Sequence, residues 1–439
     1  MTAEIRFFWA RLNANYWFYP ATFALLAAAL ALVTVYLDRS GLTQFLNDYE
    51  WIVPVRPKGA ADILTVLAGA TIGVASTVFS ITLVAVTYAS GTYGPRLLTN
   101  FLEDKGNQVS LATFIGSFVF YIIVLRSVRA EDESASVASD AAASALPGFA
   151  PQLSLLVAYI LIVLCVAVLV FFLHHVPSSI RINMVMKRIG SRLLDEICET
   201  YPDEDEFRDA REPVEGEPLT ALGTGYVQMI DFEDLEEIAR GCDCTFSLCV
   251  RTGDFVHRDI PLMEIKGCKP DEIEEKVRAC FTLGSVRTPT QDPQFLIDEL
   301  VEIGLRALSP GINDPFTAIT ALHWLGAATS EIARRDLRKD VCGEDAEDCP
   351  VIPRYDSFEH YLTRGFGSIR SAVASSPNAA LVMLDVMGNA AGPVRDEDRR
   401  ASIREQGKLL IEQAREALVG PDLAVVEERY REFLQRCAD

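Results

Sequence analysis

Residues 63–91, ILTVLAGATIGVASTVFSITLVAVTYASG, decide how this chain is read. No charged side chain occurs between Asp62 and Arg96. A hydrocarbon core of about 30 Å is crossed by roughly 20 apolar residues in a helix rising 1.5 Å per residue, so this stretch is long enough to span a bilayer. Its small and hydroxylated residues fall on one stripe. At roughly 100° per residue, Thr65, Gly73, Ser76, Ser80 and Thr87 lie within about 40° of Gly69. The opposite face carries Leu64, Leu67, Val74, Val78, Ile81 and Ala85, which suit lipid. A helix with one narrow, weakly polar face is built to pack tightly against another helix or to line water. Gly69-x-x-x-Gly73 has the spacing that lets two helices approach closely. Hydroxyls around a shared axis would line a pore.

Three further segments qualify as spans, at 17–37, 109–125 and 153–173, the third of the four being short and ending at Arg126. Trp17, Phe18 and Tyr19 stand where an interfacial aromatic belt belongs. The first span is too long for a signal-peptide core and is read as retained. With the N-terminus inside, the inner flanks carry eight basic residues (Arg6, Arg11, Arg96, Lys105, Arg181, Lys187, Arg188, Arg192) and the outer loops five (Arg39, Arg56, Lys58, Arg126, Arg129). The positive-inside bias therefore selects N-in, C-in. Residues 1–190 are near neutral, with 12 Lys+Arg against 11 Asp+Glu, whereas 191–439 carry 28 against 50. A neutral membrane half joined to an acidic soluble half accounts for the net charge of −21, and that acidity argues against nucleic-acid binding.

Beyond the fourth span, VPSSIRINMVMKRIGSRLLDEI has apolar residues at helical spacing with basic residues between them, and reads as an amphipathic connector at the inner leaflet. An acidic linker follows. From Gly225 the pattern changes: GYVQMI, TFSLCVR and LGSVRT are strand-like, with amphipathic helices between them. VRTGDFVHRDIPLMEI looks like a hairpin of a small β-barrel module, but no lysine stands in the turn for lipoyl or biotin attachment. After residue 288 everything reads as helix. Asp292-Pro293 and Asp314-Pro315 each open one, with Asp as cap and Pro in the first turn. The expected organisation is a four-span transmembrane domain at 1–176, connector and acidic linker at 177–220, a small α+β module at 221–288 and a helical domain at 289–439. Ten cysteines sit mostly in the half placed in the cytosol, where disulfides are disfavoured. Cys242-x-Cys244 with Cys249 lacks the second pair a zinc site needs, so no metal is expected.

Three stretches carry a resemblance: YGPRLLTNFLEDKGNQVSLATFIGSFVFYIIVLRSVR, FFLHHVPSSIRINMVM and RTPTQDPQFLIDELVEIGLRALSPGINDPFTAITALHWL. Together they resemble a bacterial family of predicted membrane proteins of unknown function (domain of unknown function 2254). The resemblance implies a multi-span inner-membrane protein with a cytosolic tail, and supplies no chemistry.

The remaining candidates each have a plain structural reading. His174-His175, at the inner end of the fourth span, would anchor at the interface or respond to pH near neutrality. Arg96 would meet lipid phosphates or ring an inner pore mouth. In the corner Arg306-x-x-Ser309-Pro-Gly-x-Asn313-Asp314, Arg306 would meet the carbonyls ending its helix and Asp314 would cap the next; the functional alternative is a small-ligand or ion site. P-loop, H-E-x-x-H, G-x-S-x-G and G-x-G-x-x-G motifs are missing. Catalysis would need groups assembled by folding, such as Glu299 with Glu302 or His174 with Tyr121. The expectation is an α-helical integral membrane protein of the bacterial inner membrane, embedded in the lipid bilayer and homo-oligomeric, with a cytosolic α+β plus helical domain and no cofactor. It would pass small ions or solutes through a pore lined by the second span. The alternative is a non-conducting, membrane-anchored sensor or scaffold.

Overall fold

A computed structural model describes residues 15–42, 55–94, 104–129, 148–179, 181–201, 211–338, 341–342 and 348–438. The chain divides into two compact units, Met1–Arg181 and Ile182–Asp439.

Among the described residues, four helices of the first unit are long and apolar enough to cross a membrane: α1 (Phe18–Ser40), α2 (Pro57–Tyr93), α3 (Lys105–Ser127) and α4 (Gln152–Ser179). Each is longer than its apolar core. α2 runs 37 residues, about 55 Å, and ends where Gly94 takes a positive φ of 129°. The short third span extends to 23 residues because Asp104 caps it, accepting from the Asn107 backbone N–H at 3.2 Å. α3 packs against all three other helices and is the most enclosed of the four. Small residues allow that. A Cβ on Gly116 would stand 3.2 Å from the Phe23 carbonyl oxygen of α1. Two apolar layers stack along the bundle, one around Leu64, Phe120, Tyr121 and Leu155, the other around Val78, Phe114, Cys165 and Phe172.

The N-terminus of α4 is capped from another helix. Asp38, in the last turn of α1, accepts from the backbone N–H groups of Leu153 (2.9 Å) and Ser154 (3.0 Å) and from the Ser154 hydroxyl (2.8 Å). The first N–H groups of any helix lack partners within it, and this carboxylate supplies them together with a charge that suits the dipole.

The second unit begins with α5 (Ile182–Thr200). It is amphipathic, but its apolar face is not turned to lipid: Met186, Ile189, Leu193 and Ile197 are buried within the unit, where α5 packs on α8 (Pro293–Ala307) and α9 (Pro315–Ala333). Gly190 permits the contact, since a Cβ there would overlap the Trp324 ring. Between α5 and α8 lie β1 (Glu217–Thr220), β2 (Gly225–Ile230), α6 (Phe232–Cys242), β3 (Thr245–Leu248), β4 (Phe255–Val256), β5 (Pro261–Lys266), α7 (Glu274–Ala279) and β6 (Phe281–Gly284). They form two sheets, not one barrel-like hairpin module. β4 joins β2 and β6, whereas β5 lies between β1 and β3. β3 and β4, on either side of the Gly253-Asp254 turn, therefore enter different sheets. The second sheet is completed by β7 (Val351–Ile352), which pairs parallel to β3 from 100 residues further along. Helices α10 (Phe358–Leu362), α11 (Ser368–Ala374), α12 (Pro377–Ala391), α13 (Glu397–Ala417) and α14 (Gly420–Arg436) complete the unit, with a π-helical turn at Thr363–Gly367.

The cysteines depart from expectation. Cys244 pairs with Cys268 and Cys342 with Cys349, at Cα separations of 5.9 and 5.6 Å, while Cys242 and Cys249 are free.

Replacing Asp38 by Ala strands two backbone donors in apolar surroundings, at roughly 1–3 kcal/mol each. The unfolding midpoint of the detergent-solubilised chain should fall accordingly, and Asp62→Ala, at an exposed carboxylate, should leave it in place.

Candidate functional site

The helical stripe on α2 is the first candidate, and it faces out of the chain. Thr65, Gly69, Gly73, Ser76, Ser80 and Thr87 are all exposed. Nothing lies within 4 Å of where a Cβ on Gly69 or Gly73 would stand. The buried face is nearly opposite and holds Leu64, Ala68, Thr71, Ala75, Val78 and Thr82. Two residues expected to face lipid, Leu64 and Val78, thus lie inside the bundle, because α3 needs an apolar neighbour. The exposed hydroxyls are not bare donors. Thr65 donates to Ala61 O (2.8 Å), Ser80 to Ser76 O (2.8 Å) and Thr87 to Leu83 O (2.8 Å). Such back-bonding satisfies each O–H within its own helix and leaves oxygen lone pairs available to accept.

The paired histidines part company. His174 is exposed. His175 turns inward, with Nε2 2.8 Å from Asp104 Oδ1 and its ring stacked on Phe171 at 5.0 Å. Gly106 makes room for it: a Cβ there would come within 2.5 Å of His175 Nε2. This contact sets α3 and α4 antiparallel, and the Tyr121 hydroxyl donating to Ala158 O at 3.4 Å agrees. Tyr121 stands 15 residues, about 22 Å, along α3 from Gly106, so folding does not unite it with the histidines. Arg96 lies outside the described residues.

In the soluble unit, the corner between α8 and α9 is held by its own polar groups. Arg306 pairs with Glu302 at 3.3 Å, a turn back on α8, instead of meeting the carbonyls that end the helix. The Ser309 hydroxyl donates to Arg306 O (2.6 Å). Asn313 takes a positive φ of 49° and its N–H donates to Ser309 O (2.9 Å). Asp314 caps α9, accepting from the Thr317 N–H (3.2 Å) and hydroxyl (2.6 Å). Glu299 is buried while Glu302 holds Arg306, so the two acids have separate environments.

A denser polar constellation joins the sheets to the helices. Arg287 donates to Asp292 (2.6 and 2.8 Å) and to Asp298 (2.5 Å); Arg364, in the π-helical turn, grips Asp298 through two bonds of 2.7 Å. Nearby, Arg251 pairs with Asp356, which also accepts from Gln294 Nε2 at 2.8 Å. Tyr361 and Tyr201 share a 2.7 Å hydroxyl contact. Burial pushes the Tyr201 phenol up to about 12. Burial, then the positive charges of Arg251, Arg364 and Arg354, hold His360 below the usual imidazole range. The members come from positions 201, 251, 287–298 and 354–364, and only the Asp292 cap was legible beforehand. Arg251, Arg287 and Arg364 here meet Asp292, Asp298 and Asp356, the arrangement of a seam that fixes two substructures in register.

Gly106→Leu should drive His175 off Asp104 and lower the stability of the detergent-solubilised chain by about 1–3 kcal/mol, as overpacking does. Gly91→Leu, with nothing within 4 Å of the added Cβ, should leave the unfolding midpoint unchanged.

Comparison with known proteins agrees with the four apolar helices. A model of the family described as predicted membrane protein (DUF2254) matches residues 13–389. Uncharacterized proteins of Mycobacterium bovis and Mycobacterium tuberculosis are 30% identical over 369 residues, covering 82% of this chain and 68% of theirs. No solved structure matches. With a match over most of its length, the chain belongs to this DUF2254 family of predicted membrane proteins.

Proposed function

We propose that the chain is a channel-like or passive transport protein of the bacterial inner membrane, in which copies of α2 from a homo-oligomer surround a shared axis. One observation carries this reading. The face of α2 with Gly69, Gly73, Ser76 and Ser80 is exposed on the single chain and has open space over both glycines. Small residues four apart favour close helix association, and hydroxyl oxygens one turn away can accept from water or coordinate a passing cation. The stretch 63–91 carries no formal charge, which suits selection by size and weak dipoles over charge-coupled transport.

The runner-up, a non-conducting sensor or scaffold, draws on the same open glycines as a dry contact, because the Thr65, Ser80 and Thr87 hydroxyl donors are already satisfied. Its ligand corner is less favoured, since Ser309, Asn313 and Asp314 are engaged with one another's surroundings.

N-in, C-in orientation follows from the eight-to-five distribution of basic flanks. The Cys244–Cys268 and Cys342–Cys349 pairs pull the other way, because disulfides persist in oxidising compartments. Exposed Cys198 and Cys242 discriminate: a membrane-impermeant maleimide should leave both unlabelled in intact cells and label them after permeabilisation.

Liposomes holding the purified chain should release an ionic or osmotic gradient, and Gly73→Leu and Ser80→Leu should reduce that flux without disturbing the bundle, since Gly73 has open space over it and Ser80 is exposed. Oxidised Ser76→Cys should cross-link between copies. Cross-linking without flux would favour the scaffold; neither flux nor cross-linking would end both uses of the stripe.

A further inference from the structure

α5 and α9 run parallel in a constant register. Gly190 faces Trp324, the Cys198 thiol lies 3.7 Å from Glu331 Oε1, and Arg335 donates to Tyr201 O at 2.6 Å, offsets of 134, 133 and 134 residues. Carried back to the start of α5, the register sets Ile182 beside Phe316. Ile182 is three residues past Ser179, the last residue of α4, and cannot lie more than about 11 Å from it. Whatever the disposition of the two units, this end of the second unit is tied to the end of a candidate span.

That end is apolar at its tip and basic around it. Phe316 is 73% exposed, Met184 51% and Ile312 44%, large apolar side chains left open in a strongly acidic unit. Lys187 and Arg188 stand on the first half of α5 and Arg306 at the end of α8, whereas the acids of α5 (Asp195, Glu196, Glu199) are confined to its far half. The two acids near the corner have other work: Asp314 caps α9 and Glu302 holds Arg306.

We propose that this corner docks on the bilayer surface, with Ile312, Phe316 and Met184 entering the interface and Lys187 and Arg188 meeting anionic headgroups. Amphipathic surfaces bind membranes by this combination of apolar burial and headgroup attraction. Tethering by α4 holds the corner at the surface, so a small apolar tip suffices. The apolar face of α5, at first sight the membrane-binding element, is the support that sets the corner at the right end of the unit.

The test uses the full chain, with exposed Cys198 and Cys242 and the half-buried Cys249 replaced by Ser, in vesicles of phosphatidylcholine with or without phosphatidylglycerol. A polarity-sensitive fluorophore is attached at Phe316→Cys or, about 25 Å further along α5, at Glu199→Cys. Lipid-borne quenchers should quench the label at 316 several-fold more than that at 199, and phosphatidylglycerol should increase the difference. Equal quenching at the two positions overturns the docking, as does a label at 316 that is shielded in detergent and indifferent to lipid quenchers, the outcome for a second copy of the chain. Quenching at 316 indifferent to phosphatidylglycerol overturns the part assigned to the basic residues. Ile312→Ser, a milder change at an exposed site, should lessen the 316 quenching with an unchanged unfolding midpoint.

Discussion

The enclosure of α3 governs the first unit. A helix surrounded by three others in apolar material gains by placing its polar side chains against partners, because little water is there to take them. α3 has many such groups. Ser110 and Thr113 return their hydroxyls to Gly106 O and Val109 O, Ser117 accepts from the Cys165 thiol at 3.2 Å, and Tyr121 reaches across to α4. Serving α3 in turn dictates how its neighbours are oriented. α2 must offer it an apolar surface, so Leu64, Ala68 and Val78 turn inward. The small-residue face is then left outward by default, and its exposure is a consequence of how α3 is packed.

Both ends of this bundle close with a carboxylate at a helix N-terminus. Asp104 begins α3 and holds His175 from the end of α4; at the other end Asp38 of α1 begins α4. In each place the negative charge meets the positive end of a helix dipole and unpaired N–H groups just where the apolar run stops. The bundle is thereby tied between different helices at both ends, α1 to α4 and α3 to α4, while its middle is held by packing and by the Cys165–Ser117 and Tyr121–Ala158 hydrogen bonds.

Periodicity and composition made the four long helices legible, along with the strand-like stretches of the second unit and the Asp-Pro starts of α8 and α9. Each is a local property: hydropathy over about 20 residues, alternation, or a cap and its proline. What escaped was set by partners distant in sequence. Which face of α2 is buried depends on α3. The apolar face of α5 suited lipid equally well until α8 and α9 were in place. The pairing of β7 with β3, the Cys244–Cys268 pair and the seam around Asp298 and Asp356 all join segments tens of residues apart. Of the candidate site residues, the stripe was readable as a stripe because helical spacing alone defines it. The separation of His174 from His175 was not, since it turns on Gly106, whose only role is to be small.

The seam and the first residues of the second unit are linked by one element. α5 starts three residues beyond α4 and is followed by Tyr201, whose hydroxyl meets Tyr361 and whose carbonyl accepts from Arg335. Between those points it is held against α9 at Gly190 and Cys198, with most of its apolar residues buried. Interdigitated interiors deform little, so a helix gripped along its length moves with what grips it. α5 and α9 therefore form one rigid rod about 30 Å long, running from the chain's exit from α4 to the arginine–aspartate seam.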